Sequence, residues 1–119
     1  MTRVALLCPD LLFGSKVEGA LAAAGHEVTR FDGEDTARAA VTEHDVLVVD
    51  LTAEQYDGAM LVESMKADRE LDGVSTLGFY SHVDQETRGH AEAAGFDLVV
   101  PRSRMARETA NLVERLVGR

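Results

Sequence analysis

The sequence has few cysteines and few basic residues, and both shortages exclude classes of function. Its single cysteine, Cys8, rules out an internal disulfide and leaves no pattern for a structural zinc site. Twelve lysines and arginines against 21 aspartates and glutamates give a net charge of −9. We therefore expect no nucleic-acid binding by this chain, because neutralising phosphates requires a basic face.

Long hydrophobic runs are also missing. No apolar stretch approaches the length of a membrane span, so we expect no membrane partner. The apolar run that starts at Val4 is too short for a signal peptide and lacks a small-residue cleavage site. It favours a first strand in a cytoplasmic protein. The 119 residues are enough to bury a core, and they predict a single domain over residues 1–119.

Five short β-rich runs alternate along the chain with five segments of helical periodicity. The predicted strands are residues 3–8, 27–31, 46–50, 74–80 and 97–101. This alternation predicts an α/β fold with a parallel sheet between two helical layers. Five such units in this length are typical of the flavodoxin-like (βα)5 three-layer sandwich, with strand order 2-1-3-4-5.

Several helix starts and surface residues can be predicted from local patterns. Ser15 to Glu18 has the form of a capping box, which places the start of the first helix after a loop over residues 11–14. Asp35 and Ser103 are the predicted caps of the second and last helices. Three of the four histidines are predicted to lie on the surface: His26, His44 and His90.

Asp50 is the leading candidate for a functional residue. It ends the third strand, after the apolar run Val46 to Val49 that predicts burial on both faces of the sheet. Ligands of open α/β sheets gather outside the carboxyl ends of the strands. In the predicted order the first and third strands are neighbours, so we expect Cys8, Pro9 and Asp10 to lie close to Asp50.

Nearly the whole chain resembles a response-regulator receiver domain, the aspartate-phosphorylated module of two-component signalling. Residues 45–50 resemble the family's phosphoacceptor strand, and residues 56–58 resemble its Met-Asp-Gly. Residues 65–68 resemble the end of its third helix, and residues 93–97 resemble the segment before its last strand. The resemblance implies that Asp50 is the phosphoacceptor-equivalent residue.

The metal site that the resemblance implies is depleted. The family's magnesium-binding acidic pair falls on Cys8 and Pro9, with Asp10 just beyond. The remaining ligands for Mg²⁺ would be Asp10, Asp50 and the carbonyl oxygen of Thr52; Asp10 could instead cap the loop over residues 11–14. Mg²⁺ prefers several oxygen ligands, carboxylates foremost, and neither Cys8 nor Pro9 offers a side-chain oxygen.

The switch positions also depart from the family. Its switch threonine or serine falls on Tyr80, and its lysine falls on Arg102, followed by Ser103 in place of a proline. We expect Arg102 to form a lasting ion pair with Asp50. Tyr80 is either a surface aromatic for partner contact or a strand-end side chain packed on the fourth helix. These changes are typical of an atypical or pseudo-receiver, in which phosphorylation is weak, poor in metal or absent.

Two classes of function remain open. The first is a stand-alone signalling module in a phosphorelay, which binds another signalling protein or a second copy of itself through residues 85–119, with a histidine kinase as a further partner. The second is a flavodoxin-like small-molecule-binding or redox-responsive domain that uses the edge formed by Cys8, Asp10 and Asp50, to which His82 would add a soft-metal ligand. No glycine-rich phosphate loop and no catalytic set is present, so we expect no enzyme.

Overall fold

The computed structural model describes residues 2–81 and 83–118, and in this part of the chain five strands alternate with five α-helices. The strands are β1 (Arg3–Leu7), β2 (Glu27–Phe31), β3 (Val46–Asp50), β4 (Ser75–Tyr80) and β5 (Leu98–Pro101). The helices are α1 (Leu11–Ala23), α2 (Glu34–Ala40), α3 (Gly58–Ala67), α4 (Gln85–Ala94) and α5 (Arg102–Val117), and a 3-10 turn, Val41–Glu43, follows α2.

The strands form one parallel sheet in the order β2-β1-β3-β4-β5, as predicted. The central strand, β3, is buried along its whole length. Leu7 of β1 pairs with Val49, and Phe79 of β4 pairs with Asp50. The chain therefore has the flavodoxin-like α/β fold, and the carboxyl ends of β1, β3 and β4 meet around Asp50.

Two helical layers cover the sheet. The layer of α1 and α5 packs on one face through Val17, Leu21, Met105, Leu112 and Val113. The layer of α2, α3 and α4 packs on the other face through Ala37, Leu61, Val62, Met65 and Ala91. Alternate residues of β3 belong to the two cores, and each fully buried valine or leucine contributes roughly 1.5–3 kcal/mol. Because β3 is covered on both faces, its residues from Val46 to Val49 are all apolar.

The predicted starts of three helices were wrong. Helix α1 begins at Leu11 because Asp10 caps it, accepting a hydrogen bond from the amide of Phe13 at 3.0 Å. Ser15 therefore lies inside the helix, where its hydroxyl accepts a hydrogen bond from Arg30 at 3.2 Å. The N-caps of α2 and α5 are the residues before them, Gly33 and Pro101, and neither makes a side-chain capping bond. Asp35 and Ser103 lie in the first turns.

The prediction that His44 lies on the surface was also wrong. His44 is buried where the chain enters β3, and its ring meets that of Phe31 edge to face. Its Nδ1 donates to the carbonyl of Ala40 at 2.8 Å, while its Nε2 has no partner among the described residues. The prediction for His26 was wrong as well, since only 9% of its side chain is exposed beside Glu114. His90 is exposed as expected.

Within residues 2–81 and 83–118, none of the helices has the length and apolar character needed to span a bilayer.

Candidate functional site around Asp50

The Asp50 side chain is almost fully enclosed, with 1% of its surface exposed. Its Oδ1 accepts hydrogen bonds from the amide of Thr52 at 2.9 Å and from the Thr52 hydroxyl at 2.5 Å. Its Oδ2 accepts one from the Cys8 thiol at 3.5 Å. Within the described parts of the chain Asp50 forms no ion pair. Neutral donors of the same chain therefore occupy both carboxylate oxygens.

Local geometry explains these three hydrogen bonds. The chain turns directly after β3, and a turn of this kind brings the amide two residues ahead onto an aspartate side chain. Cys8 follows β1, which pairs with β3 up to Leu7 and Val49, so the thiol reaches Asp50 from the neighbouring strand. The predicted proximity of Cys8 and Asp50 is confirmed, and the parallel topology alone accounts for it.

Sequence reasoning missed Tyr56 as part of the site. The Tyr56 hydroxyl donates to the backbone carbonyl of Asp50 at 2.8 Å, with the carbonyl of Leu7 at 3.3 Å. Burial, with the nearby charge of Asp50, raises the pKa of Tyr56 far above its usual value, so the phenol keeps its proton. Tyr56 thus ties the loop after β3 to the ends of both β1 and β3. Its position in the segment that resembles Met-Asp-Gly gave no sign of this hydrogen bond.

The Cys8 thiol is inert in this setting. Burial, followed by the charge and hydrogen bond of Asp50, raises its pKa to about 12. A thiol reacts with oxidants and electrophiles through its thiolate, which this pKa suppresses. The redox-responsive alternative for the Cys8, Asp10 and Asp50 edge therefore has no chemical support from the environment of Cys8. The soft-metal ligand His82 lies outside the described residues.

The expected ion pair between Arg102 and Asp50 was wrong, because Arg102 pairs with Asp10. Arg102 Nη2 lies 2.8 Å from Asp10 Oδ2, and its guanidinium stacks 4.2 Å from the centre of the Phe13 ring. Arg30 also holds the backbone of Asp10, because its guanidinium donates to the Asp10 carbonyl at 2.9 Å. The amide of Phe13 and then Arg102 hold the pKa of Asp10 below its usual range. Asp10 is therefore an anion whose charge is already neutralised.

The residues implied for Mg²⁺ do not fit that ion as they stand. Both oxygens of Asp50 and both oxygens of Asp10 have hydrogen-bond donors from the chain itself. Thr52 faces Asp50 with its amide and hydroxyl. A guanidinium 2.8 Å from Asp10 also repels a second cation there. Among the residues that the structure describes, no group of three or more His, Cys, Asp and Glu side chains could hold a metal ion.

Tyr80 is buried at the end of β4, with 2% of its surface exposed. The interpretation of Tyr80 as a surface aromatic was therefore wrong. Arg88 on α4 interacts with the Tyr80 hydroxyl; its hydrogen bond to Glu92, followed by the interaction with Tyr80, raises the pKa of the Arg88 guanidinium. The strand-end alternative, in which Tyr80 packs towards the fourth helix, agrees with the structure.

An open cleft of about 610 Å³ lies above Asp50 at the carboxyl edge of the sheet. Its lining includes Pro9, Asp10, Asp50, Thr52 and Glu54. Two exposed leucines, Leu11 at 72% and Leu12 at 84%, follow directly after the Pro9 and Asp10 rim. The cleft is thus acidic and open to solvent, and two exposed leucines follow one of its edges in the sequence.

The fold is shared with solved structures across almost the whole chain. A response regulator from Chloroflexus aurantiacus is 18% identical with a TM-score of 0.88, and the match covers 99% of this chain and 98% of that chain. The receiver domain of the sensor histidine kinase PA1611 from Pseudomonas aeruginosa, which has a magnesium ion in its active-site cleft, is 17% identical with a TM-score of 0.86 over 99% and 98%. Chemotaxis protein CheY4 of Vibrio cholerae is 17% identical with a TM-score of 0.84 over 98% of each chain.

No protein-family model matches the sequence, and no curated protein matches it either. The relationship is therefore carried by structure, at identities that establish a common architecture. The chain has the fold of response-regulator receiver domains, with Asp50 at the end of its central strand.

Proposed function

We propose that the chain is a signalling module of the pseudo-receiver type, acting in phosphorelay signal transduction with Asp50 at the phosphoacceptor-equivalent position. It acts by binding other proteins, and it is not an enzyme. The observation that carries this proposal is that neutral donors, Thr52 and Cys8, occupy both oxygens of the Asp50 carboxylate. Asp50 therefore has the position of a receiver phosphoacceptor but lacks the neighbouring metal-binding acids.

The proposed module works without resident Mg²⁺. Metal binding at Asp10 would have to compete with the guanidinium of Arg102, and the hydrogen bonds from Cys8 and Thr52 already satisfy the Asp50 oxygens in part. The positive charge near the acceptor is supplied by Arg102, which is the switch-equivalent residue on this side of the site. Tyr80, the other switch-equivalent residue, is fixed in the core and cannot move as a small hydroxyl side chain would.

A histidine kinase or another signalling protein would approach Asp50 over the cleft. Leu11 and Leu12 border this cleft, and exposed apolar side chains beside a polar pocket are typical of protein contact sites. A second contact surface is formed by α4, β5 and α5, through which the module would bind a partner or a second copy of itself. Gly89 on the exposed side of α4 permits close approach there.

The small-molecule alternative receives less support from the same cleft. A ligand pocket is usually concave and lined mainly by apolar side chains, with a few polar groups that orient the ligand. This cleft is open and presents Asp10, Asp50 and Glu54. Signalling through protein contact therefore agrees better with its chemistry.

The proposal is tested by incubating the full chain with acetyl phosphate, with and without Mg²⁺, and measuring its intact mass. We expect little or no gain of a phosphoryl group, and no increase when Mg²⁺ is added. Asp50→Asn is the control for any phosphorylation elsewhere. Stoichiometric phosphorylation that requires Mg²⁺ and disappears in Asp50→Asn would show a working receiver and overturn the pseudo-receiver assignment.

A further inference from the structure

A surface groove runs between α3 and α4, on the face of the sheet opposite α1 and α5. It consists of two adjoining hollows of about 230 Å³ each, which share Asp57, Ala59 and His90. One hollow reaches down to Tyr56, and the other ends at Ala94. The groove is therefore continuous from the loop after β3 to the end of α4.

The groove presents mainly small and apolar side chains towards Ala94, and polar side chains, among them Thr87 and His90, beside Tyr56. Ala59 and Met60 line it from α3, and Ala93 and Ala94 line it from α4. Asp57 and Glu63 supply exposed carboxylates along the α3 side. On α4, Arg88 is paired with Glu92, and Lys66 lies over Gly95 beyond the end of the groove.

Met60 marks this groove as a contact surface. It is 65% exposed and is one of four large hydrophobic side chains that are exposed among the described residues. The others are Leu11 and Leu12 beside the Asp50 cleft and Val83 in the loop before α4. Methionine adapts its shape to varied partners and is favoured at surfaces that bind peptides.

Tyr56 connects the groove to the candidate site. Its ring lines the hollow beside Asp57 and His90, while its hydroxyl donates to the carbonyl of Asp50. A segment bound against the ring would press on the group that holds the loop after β3. One side chain, Tyr56, therefore lies in contact with both the groove and the backbone of Asp50.

We propose that the α3–α4 groove binds a positively charged, apolar segment of a partner protein. Lysine or arginine side chains of the segment pair with Asp57 and Glu63, and its apolar side chains pack on Met60 and the alanines. The net charge of −9 disfavours a second copy of this chain as the occupant. The α3–α4 groove is separate from the α4, β5 and α5 surface of the proposed function. Through Tyr56, a partner bound in the groove would act on Asp50, which gives the proposed signalling module a second input.

The test is a titration of the 15N-labelled full chain with a synthetic helical peptide of leucine and lysine, about four turns long. Two control peptides of equal length replace lysine by glutamate or leucine by serine. We expect saturable amide shifts along α3 and α4 that extend to Asp50, and no saturable shifts with either control. Met60→Ser should weaken binding about tenfold, or ~1.4 kcal/mol, while Val83→Ser, a change at another exposed apolar side chain that does not line the groove, leaves the affinity unchanged.

Three outcomes would overturn the inference. Shifts centred on α5 and β5 would move the docking surface and leave the proposed function standing. Shifts scattered over all acidic surfaces, equal for the peptide without leucine, would mean non-specific charge attraction. Shifts in the groove that grow with protein concentration alone would mean a second copy as the occupant.

Tyr56→Phe tests the connection between the groove and Asp50. The groove of this variant should still bind the peptide, while the shifts at Asp50 disappear. Unchanged shifts at Asp50 would contradict the connection.

Discussion

Arg102 forms an ion pair with Asp10 at 2.8 Å and stacks on Phe13, which keeps its charge at the rim of the cleft above Asp50. The pair is half-exposed, so its direct contribution to stability is small. Its main effect is on the electrostatics of the site, because it neutralises the second carboxylate next to Asp50. Asp50 consequently lies beside a carboxylate whose charge Arg102 already neutralises.

Arg102→Gln should raise the pKa of Asp10. The amide of Phe13 still donates to Asp10 in the variant, so the pKa should rise towards its ordinary value of 3.8 without exceeding it. A carboxyl with a lowered pKa contributes stability above its unfolded pKa, and this contribution is lost as the pH falls through the folded value. Carboxyl NMR titrations of the native chain and the variant would measure the change, and an unaltered Asp10 titration would contradict the pairing.

The Cys8 thiol should resist alkylation in the folded protein. A pKa of about 12 against 9.0 leaves roughly a thousandfold less thiolate near pH 8, and burial blocks access as well. Iodoacetamide labelling followed by mass spectrometry, in buffer and in urea, measures both states. We expect fast labelling in urea only. Rapid labelling of the native chain would revive a redox role for Cys8.

Removal of the Thr52 hydroxyl should destabilise the protein. Thr52→Val keeps the shape of the side chain but leaves a buried Asp50 oxygen with one donor fewer, at a cost of about 1–3 kcal/mol. Thr52→Ser keeps the hydroxyl and serves as the matched control, with a smaller loss. Urea unfolding followed by circular dichroism measures both. Equal stability of the two variants would show that the hydroxyl contributes nothing at Asp50.

Two glycines of α1 should respond oppositely to alanine. Gly19 has nothing within 4 Å of where a Cβ would lie, so Gly19→Ala should stabilise the helix by up to about 1 kcal/mol. At Gly14 a Cβ would collide with the guanidinium of Arg30, which binds the carbonyls of Asp10 and Leu11. Gly14→Ala should therefore gain less or lose stability in the same urea experiment. Equal gains at both positions would show that the Arg30 contacts are not needed.

Local sequence signals predicted some elements closely. The bounds of β2 (Glu27–Phe31) and β3 (Val46–Asp50) agree with the predicted ones. Helix α4 (Gln85–Ala94) also has clear local boundary signals, since Asp84 caps its start and Gly95, with φ of 102°, ends it. The start of α1 could not be predicted because two caps, Asp10 and Ser15, competed over a few residues. The helix begins after Asp10, the capping residue closer to the end of β1.

Contacts between distant side chains were harder to predict. The neighbouring positions of Cys8 and Asp50 followed from the strand order, because the backbone sets them. The partner of Arg102 depends on the reach of a long side chain at the rim, where Asp10 and Asp50 are both nearby. The Tyr56 hydroxyl and the burial of His44 also depend on tertiary packing that no local pattern records.

The chain itself satisfies the Asp50 carboxylate with hydrogen bonds from Thr52 and Cys8, without a metal ion. The most direct test is an amide NMR titration with Mg²⁺, followed by beryllofluoride, read at Asp50, Tyr80 and Arg102. We predict no saturable Mg²⁺ shifts at Asp50 and no metal-dependent response to beryllofluoride. Saturable, Mg²⁺-dependent shifts that spread from Asp50 into α4 and α5 would contradict this, and would mean a phosphorylation switch that works despite its missing acids.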